Sequence, residues 1–351
     1  MSLTFERLDI RSHERVHRFV DDGVVGFIAI HSTVLGPAFG GARLFPYVRE
    51  ADALADVLRL SEGMTYKNAL AELGAGGGKT TLFLTRPDVD RRKVFAALGR
   101  AVDLLQGQYV TAEDLGTSVN DMQTVREHTR SVAGLPSRPG TAGGDPSPWT
   151  ALGVFEAMKA AARFRFGVEL GGLTVALQGL GAVGMALCEL LHAEGARVIA
   201  TDADASRIEI AFERFGVKAE GPASIHLTAA DVFAPCALGG VLSAETIPEL
   251  KAKIVVGAAN NQLLQPEQDA ARLDARGILY TPDYVVNAGG VINVLGEYRN
   301  RSVDEVTLDV RRIGARTAAL LESAKCGGVA PWAIVQRQAM KLLNRPHVDA
   351  V

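Results

Sequence analysis

The stretch LTVALQGLGAVGMALCELLHAEGARVIATD, residues 173–202, decides the fold. The apolar, β-branched run LTVAL reads as a buried strand, and AVGMALCELLHAEGA reads as a helix. Between them Gly179, Gly181 and Gly184 stand at G-x-G-x-x-G spacing, and Asp202 closes the next strand, 18 residues after Gly184. Strand, glycine loop, helix and distal acid together form the dinucleotide fingerprint. The first glycine permits a tight turn, and the second lets a pyrophosphate reach backbone N–H groups at the helix N-terminus. Gly179, Leu180, Gly181, Ala182, Val183 and Gly184 are therefore expected to bind the cofactor. Asp202 is expected on the adenosine ribose, where its charge would repel a 2′-phosphate and favour NAD over NADP. Arg207 lies close enough in sequence to weaken that preference.

From residue 151 onward helices alternate with the strands RVIATD, ADVFAPCAL, KIVVGAAN and GILYTPDYV. This rhythm implies a parallel sheet covered on both faces. Upstream, GLPSRPGTAGGDPSPWT (134–150) holds four prolines and four glycines in 17 residues and reads as a domain boundary. Its end, from Gly143 to Thr150, reads as a loop stiffened by Pro146 and Pro148. An α/β protein of two domains is the result. Residues 1–138 form an α/β domain, with a helix at about 330–351 packing back on it, and residues 145–329 form a doubly wound dinucleotide domain.

The 351-residue length suits two domains, and a net charge of −3 gives no reason to expect nucleic acid or an anionic membrane as partner. Cys188, Cys236 and Cys326, an odd and scattered set, read as free thiols of a cytoplasmic protein. The charged N-terminus lacks the apolar core of a signal peptide, and no run of about 18 apolar residues could span a bilayer. Asn300-Arg301-Ser302 matches a glycosylation acceptor, without consequence in such a chain.

Two further motifs invite chemistry. LGAGGGKTTLF (73–83) resembles a phosphate-binding loop, but Leu73 stands where that motif requires its first glycine, and TTLFL reads as a strand rather than a helix. Lys79 at its end and Lys67 in GMTYKNA, joined by a glycine-rich turn, can converge on one cleft, with Glu113 and Asp114 of YVTAEDLGTS nearby. A lysine in a dry cleft or beside a second cation loses proton affinity and can work near neutral pH. HERVH (13–17) matches the zinc motif H-E-x-x-H, but no third ligand accompanies it. It reads as an amphipathic surface helix, and no metal site is expected.

LGPAFGGARLFPY, GMTYKNALAELGAGGGKT, YVTAEDLGTS, GDPSPWTALGVF, VALQGLGAVG, DVFAPCALGGVL, GAANNQL and ILYTPDYVVNAGGVIN resemble, in that order, the dehydrogenases of leucine, valine and phenylalanine, relatives of glutamate dehydrogenase. The resemblance spans about residues 20–300. It implies NAD-dependent, reversible conversion of an L-amino acid and water to a 2-oxo acid and ammonia, by a homo-oligomer. It casts Lys79 as the lysine that activates water and Asp114 as its proton relay, with Lys67 on the substrate carboxylate. The glycines at 76–78 would let substrate and nicotinamide pack closely. Phe39, Gly41, Ala112, Asn261, Val291 and Val294 would border the substrate. Arg43, Ser147, Thr150, Cys236, Ala237, Ala259, Asn260 and Asn287 would border the cofactor. Hydride transfer would take place in a cleft between the domains that closes on the substrate.

The apolar residues Phe39, Ala112, Val291 and Val294 favour a hydrophobic amino acid, because a glutamate side chain there would lose its hydration unpaired. Ala112 matches the leucine group, and branched-chain substrates are preferred. Phe39 departs from the leucine usual there and could favour valine or offer a stacking face to an aromatic substrate. Phenylalanine or tryptophan is the alternative with the same chemistry. A non-catalytic NAD-binding sensor is the alternative of another class, disfavoured by the joint presence of Lys67, Lys79 and Asp114.

Overall fold

The computed structural model describes residues 3–343. It is an α/β protein that divides into two compact units. Among the described residues the first comprises 3–146, 291–306 and 339–343, and the second 147–290 and 307–338.

The first unit opens with strands β1 (Thr4–Leu8), β2 (Arg15–Asp21), β3 (Val24–Ser32), β4 (Ala38–Phe39) and β5 (Ala42–Leu44). Helix α1 (Glu50–Leu70) leads into β6 (Gly76–Leu84), followed by α2 (Arg91–Asp103), β7 (Tyr109–Val110) and α3 (Val119–Arg126). The sheet runs β1-β2-β3-β6-β4-β7, with β5 also beside β6. Its first four strands are antiparallel neighbours, while β4 and β5 run parallel to β6. The period-2 alternation of β3 buries both faces. Ile28 and Ile30 pack with Phe95 and Leu98 of α2, while Val25, Phe27 and Ala29 pack with Ala53 and Val57 of α1.

HERVH is not helical, contrary to the expectation from its spacing. His13 precedes β2 and His17 lies within it, so the two do not share a helix face. His17 stacks on Phe5 of β1, with ring centroids 4.6 Å apart, and His13 Nε2 lies 3.1 Å from the Leu58 carbonyl. The turn immediately downstream dictates the strand. Asp22 (φ 28°) and Gly23 (φ 86°) form a two-residue turn with both φ values positive, which twists with the flanking strands and pairs Asp21 with Val24.

In the second unit, α4 (Ser147–Phe166), β8 (Thr174–Gln178), α5 (Ala182–Ala193), β9 (Arg197–Thr201), α6 (Ala205–Phe215) and β10 (Lys218–Ala219) form the first half. Then come β11 (Val232–Pro235), β12 (Ile254–Val255), α7 (Pro266–Ala275), β13 (Leu279–Tyr280) and α8 (Asp283–Val286). The wholly parallel sheet has the order β10-β9-β8-β11-β12-β13, which reverses direction at β8. That reversal beside the glycine loop is the topology of a dinucleotide-binding fold.

Helices α9 (Gly289–Tyr298), α10 (Val303–Gly327) and α11 (Pro331–Leu343) each contribute residues to both units. The segment 291–306, expected within the dinucleotide domain, groups with the first unit. The helix expected at about 330–351 divides. Trp332 packs on the core of the second unit and Gln336 donates to Tyr284 Oη at 2.8 Å, while 339–343 group with the first. Residues 344–351 lie outside the described residues. None of the described helices is long and apolar enough to cross a membrane.

Phe19 of β2 lies directly across from Gly26 of β3, where a Cβ would stand 2.0 Å from its ring. The ring fills the space above a bare backbone, so Phe19→Ala leaves a cavity that the sheet cannot close. A loss of about 3–5 kcal/mol in urea unfolding is expected.

Candidate active site

Lys79 is the fourth residue of β6, and its side chain is 7 % exposed. Its Nζ lies 3.1 Å from Asp114 Oδ1, so the structure brings together the two residues proposed for catalysis. The second oxygen of Asp114 accepts from Arg43 Nε at 2.9 Å. Arg43 in turn reaches Asp56 Oδ2 at 3.0 Å, and Tyr47 Oη donates to that same oxygen at 2.6 Å. Arg43, expected beside the cofactor, belongs to a largely buried relay of charges running Lys79–Asp114–Arg43–Asp56.

Burial lowers the proton affinity of Lys79, and the Arg43 cation lowers it further against the opposing pull of Asp114. Burial alone would raise Asp114, but Lys79 and Arg43 outweigh it and hold the carboxyl at about 2. The neighbouring Glu113 goes the other way. Burial, with Asp145, Glu297 and Asp121 around it, pushes its carboxyl up to about 7. Two adjacent carboxyls in sequence therefore differ widely in proton affinity, because burial raises both and only Asp114 has cations beside it to reverse the effect.

The glycines ahead of Lys79 answer to packing within the protein. A Cβ on Gly76 would meet the Ser32 carbonyl oxygen at 2.1 Å, on Gly77 the Thr65 backbone nitrogen at 2.1 Å, and on Gly78 the Tyr109 ring at 2.7 Å. Residues 76–78 form a strand wedged between α1 and its sheet neighbours rather than a turn, and the turn before it is made by Glu72 and Gly74. Within the protein itself the bare backbone is already required, by the end of β3 at Gly76, by α1 at Gly77 and by the Tyr109 ring at Gly78. Gly41 is bare for a similar reason, since a Cβ there would lie 2.4 Å from the Glu113 carbonyl oxygen. Lys67, in the last turn of α1, is half-buried.

Phe39, Ala112 and Val294 share one buried cluster with Ala75, Val110, Ala133 and Leu295, and Val291 and Leu73 pack against it. All four expected wall residues of the substrate pocket are thus assembled in the first unit, although Val291 and Val294 are far from the others in sequence. The Tyr298 ring stands 6.4 Å from that of Phe39. Arg299 was not anticipated by sequence reasoning. It donates to the carbonyls of Leu73 (2.7 Å) and Gly74 (3.0 Å) and pins the turn that feeds β6.

In the second unit the three fingerprint glycines have separate causes. Gly179 has φ 100°, and a Cβ there would stand 2.9 Å from that of Ala237. A Cβ on Gly184 would overlap the Gly179 carbonyl oxygen at 1.9 Å. Gly181 is different, because a Cβ there would find only the Arg207 guanidinium, at 4.0 Å. Nothing in the protein requires Gly181 to be bare, and it caps α5 without a side-chain acceptor. An open helix N-terminus of this kind fits a pyrophosphate. Leu180, Ala182 and Val183 complete the loop.

Asp202 accepts from Leu180 N at 2.6 Å and from Asp204 N at 2.9 Å, with Arg207 Nη1 3.7 Å away. Ser147 and Thr150 lie in the first turn of α4, so the loop expected through Thr150 ends at Pro146. Burial raises the Cys236 thiol to about 12, which leaves it protonated at neutral pH, and Ala259 N donates to the Pro235 carbonyl. Asn287 donates to Asn260 Oδ1 at 3.0 Å and to the Ala258 carbonyl at 3.1 Å. Asn261 belongs to this unit as well. Its backbone is left-handed (φ 52°) and its N–H donates to Asp283 at 2.7 Å. Among the described residues no group of three or more histidine, cysteine, aspartate or glutamate side chains could hold a metal ion.

A dinucleotide-binding fold in one unit and a buried lysine–aspartate pair in the other are the equipment of a dinucleotide-dependent oxidoreductase. Comparison with known proteins makes this specific. Residues 13–131 match the dimerisation domain of the Glu/Leu/Phe/Val dehydrogenases, and residues 210–310 match the Glutamate/Leucine/Phenylalanine/Valine dehydrogenase domain. The chain belongs to this family of amino-acid dehydrogenases, which use NAD or NADP. It is 44% identical to leucine dehydrogenase of Bacillus cereus, over 95% of this chain and 92% of that protein. It is also 44% identical to valine dehydrogenase of Streptomyces albus, over 94% and 92%. The crystal structure of L-tryptophan dehydrogenase from Nostoc punctiforme superposes with a TM-score of 0.80 at 39% identity, over 95% of this chain and 96% of that one.

The contrast between glycines yields a paired prediction. Gly77→Ala forces α1 off the strand and is expected to cost about 1–3 kcal/mol in chemical denaturation. Gly181→Ala is expected to leave stability within about 0.5 kcal/mol while weakening dinucleotide binding measured by fluorescence titration.

Proposed function

We propose that the chain catalyses reversible, NAD-dependent oxidative deamination of a hydrophobic L-amino acid, with branched-chain substrates preferred. The observation that carries this reading is the buried Lys79–Asp114 pair at 3.1 Å. The apolar cluster of Phe39, Ala112, Val291 and Val294 supplies the substrate side-chain environment. An L-amino acid, water and oxidised cofactor give the 2-oxo acid, ammonium, reduced cofactor and a proton. The nicotinamide, when bound, accepts the hydride from the substrate Cα.

The residues of this chain do the rest. Lys67 holds the substrate carboxylate. Lys79, with its proton affinity lowered, is available as a neutral base to take a proton from the attacking water, and as an ammonium it then stabilises the developing carbonyl oxygen. Asp114 is ionised while both cations stand beside it. While Lys79 is neutral one of those cations is gone, and the carboxylate can take a proton from the substrate ammonium. Once Lys79 has become an ammonium, Asp114 returns that proton to the amine as it departs. Gly41 and Asn261 border the substrate. Ser147, Thr150, Cys236, Ala237, Ala259, Asn260 and Asn287 line the cofactor together with the fingerprint loop.

The apolar walls disfavour glutamate, whose side-chain carboxylate would be buried unpaired at a cost of several kcal/mol. The leucine and valine dehydrogenases among the relatives support branched-chain substrates. The tryptophan dehydrogenase, together with the Phe39–Tyr298 ring pair, supports an aromatic substrate as the second reading. Asp202 at the end of β9 favours NAD, and Arg207 beside it tempers that preference. The match to a dimerisation domain supports a homo-oligomer.

The deciding experiment is a kcat/KM panel over leucine, valine, isoleucine, phenylalanine, tryptophan and glutamate with both cofactors. Leucine, valine or isoleucine should lead with NAD, and a leading glutamate would overturn the reading. Phe39→Leu should change the leucine-to-valine ratio by about 10- to 200-fold, since one methylene in an apolar pocket is worth about 1–3 kcal/mol. Lys79→Ala should abolish NADH formation. An unchanged rate would overturn the catalytic role given to Lys79, and a wild-type protein that binds NAD without forming NADH would favour the sensor.

The relay also sets the pH profile. Deamination requires neutral Lys79, so kcat/KM should fall as pH drops through its lowered pKa. Arg43→Gln removes a cation that pushes this value down, and the acidic limb should move to higher pH. An unmoved limb would exclude Lys79 as the titrating group.

A further inference from the structure

A second cavity, of about 280 Å³, opens in the first unit away from the Lys79–Asp114 pair. Its rim carries three arginines, Arg126 and Arg130 around the end of α3 and Arg138 in the boundary loop. Among the described residues neither Arg130 nor Arg138 donates a side-chain hydrogen bond, while Arg126 reaches only the Arg130 carbonyl, at 3.2 Å. The one carboxylate in the lining, Glu297, is already engaged by the N–H groups of Gly134 (2.7 Å) and Leu135 (3.2 Å). Val132 and Ala142 give the cavity a buried apolar floor, which strengthens charge interactions above it. Three exposed guanidinium groups of one sign around a concave surface, in a chain of net charge −3, form a local cationic patch whose mutual repulsion a bound anion would relieve. The planar forks suit oxyanions, carboxylate or phosphate alike.

We propose that this cavity binds a small polyvalent oxyanion and that binding is read out at the substrate pocket. The link is α9. One part of this helix supplies Val291 and Val294 to the apolar cluster, and its last turn supplies Glu297 and Tyr298 to the cavity. Tyr298 touches both, since its ring also packs against Phe39. Glu297 further bears on Glu113, which stands between Ala112 of the substrate pocket and Asp114 of the catalytic pair. Arg138 acts electrostatically on Glu297, so an anion that draws Arg138 away changes the field at Glu113 and, through Tyr298, the packing at Phe39.

The test uses the full-length enzyme saturated with NADH, so that the fingerprint loop is filled, at physiological ionic strength. Isothermal titration with inorganic pyrophosphate and, separately, citrate should give saturable binding of one anion per chain. The stronger of the two identifies phosphate or carboxylate as the recognised group. The Arg130→Ser/Arg138→Ser double variant should weaken binding by at least about tenfold, the loss expected for charge-assisted guanidinium contacts. In the absence of anion its KM for the amino acid should already be displaced in the direction in which saturating anion displaces that of the wild type, because Arg138 no longer faces Glu297. Saturating anion should change that KM at least about twofold in the wild type and leave the variant unaffected. The Arg11→Ser/Arg337→Ser variant, with the same charge change elsewhere, should bind as the wild type does. Absence of saturable binding, equal weakening in both double variants, or affinity unchanged in the first overturns the site. Binding that leaves KM unmoved overturns the coupling. The binding measurement does not depend on which amino acid is the substrate.

Discussion

A lysine side chain taken out of water needs a counter-charge, and much of the first unit serves that need. Lys79 is held by Asp114, Asp114 by Arg43, and Arg43 by Asp56. Each charge is tolerable inside the protein only because the next one is present. Removal of one partner from such a buried pair costs about 3–5 kcal/mol, so chemistry and stability rest on the same contacts. The elements that supply the four groups, β5, α1, β6 and the segment after β7, are also those that set the sheet order. The charge relay and the fold therefore constrain one another.

Glycine illustrates how one residue type can serve opposite ends. At 76–78 and at 41 the bare backbone is demanded by neighbouring protein, and at 181 it is not. The difference separates a structural from a ligand-directed glycine without reference to any relative. It also explains why the second unit carries its ligand loop on a helix start with no side-chain acceptor.

Much of this was legible in the sequence, and the remainder was hidden for identifiable causes. The fingerprint of β8, α5 and Asp202 is local, so spacing alone conveyed it. The lysine–aspartate pair was legible as a set of residues but not as a relay, since Asp56 and Arg43 meet their partners through tertiary packing that spacing does not encode. HERVH misled because a four-residue interval is compatible with a helix without requiring one. The Asp22-Gly23 turn just downstream carried the stronger signal for a hairpin. The glycines before Lys79 were legible as unusual, yet composition cannot say whether a side chain would strike ligand or protein. Helix α9 lay within what read as continuous dinucleotide-domain sequence, and only contacts assign its Val291 and Val294 to the other unit.

That last arrangement has a consequence for the protein during its synthesis. A nascent chain that has emerged from the ribosome only as far as residue 290 has Phe39 and Ala112 but lacks the valine wall of their pocket. The entire nucleotide-binding sheet is translated before that wall exists. On the function proposed above, amino-acid recognition is thus among the last properties the growing polypeptide acquires.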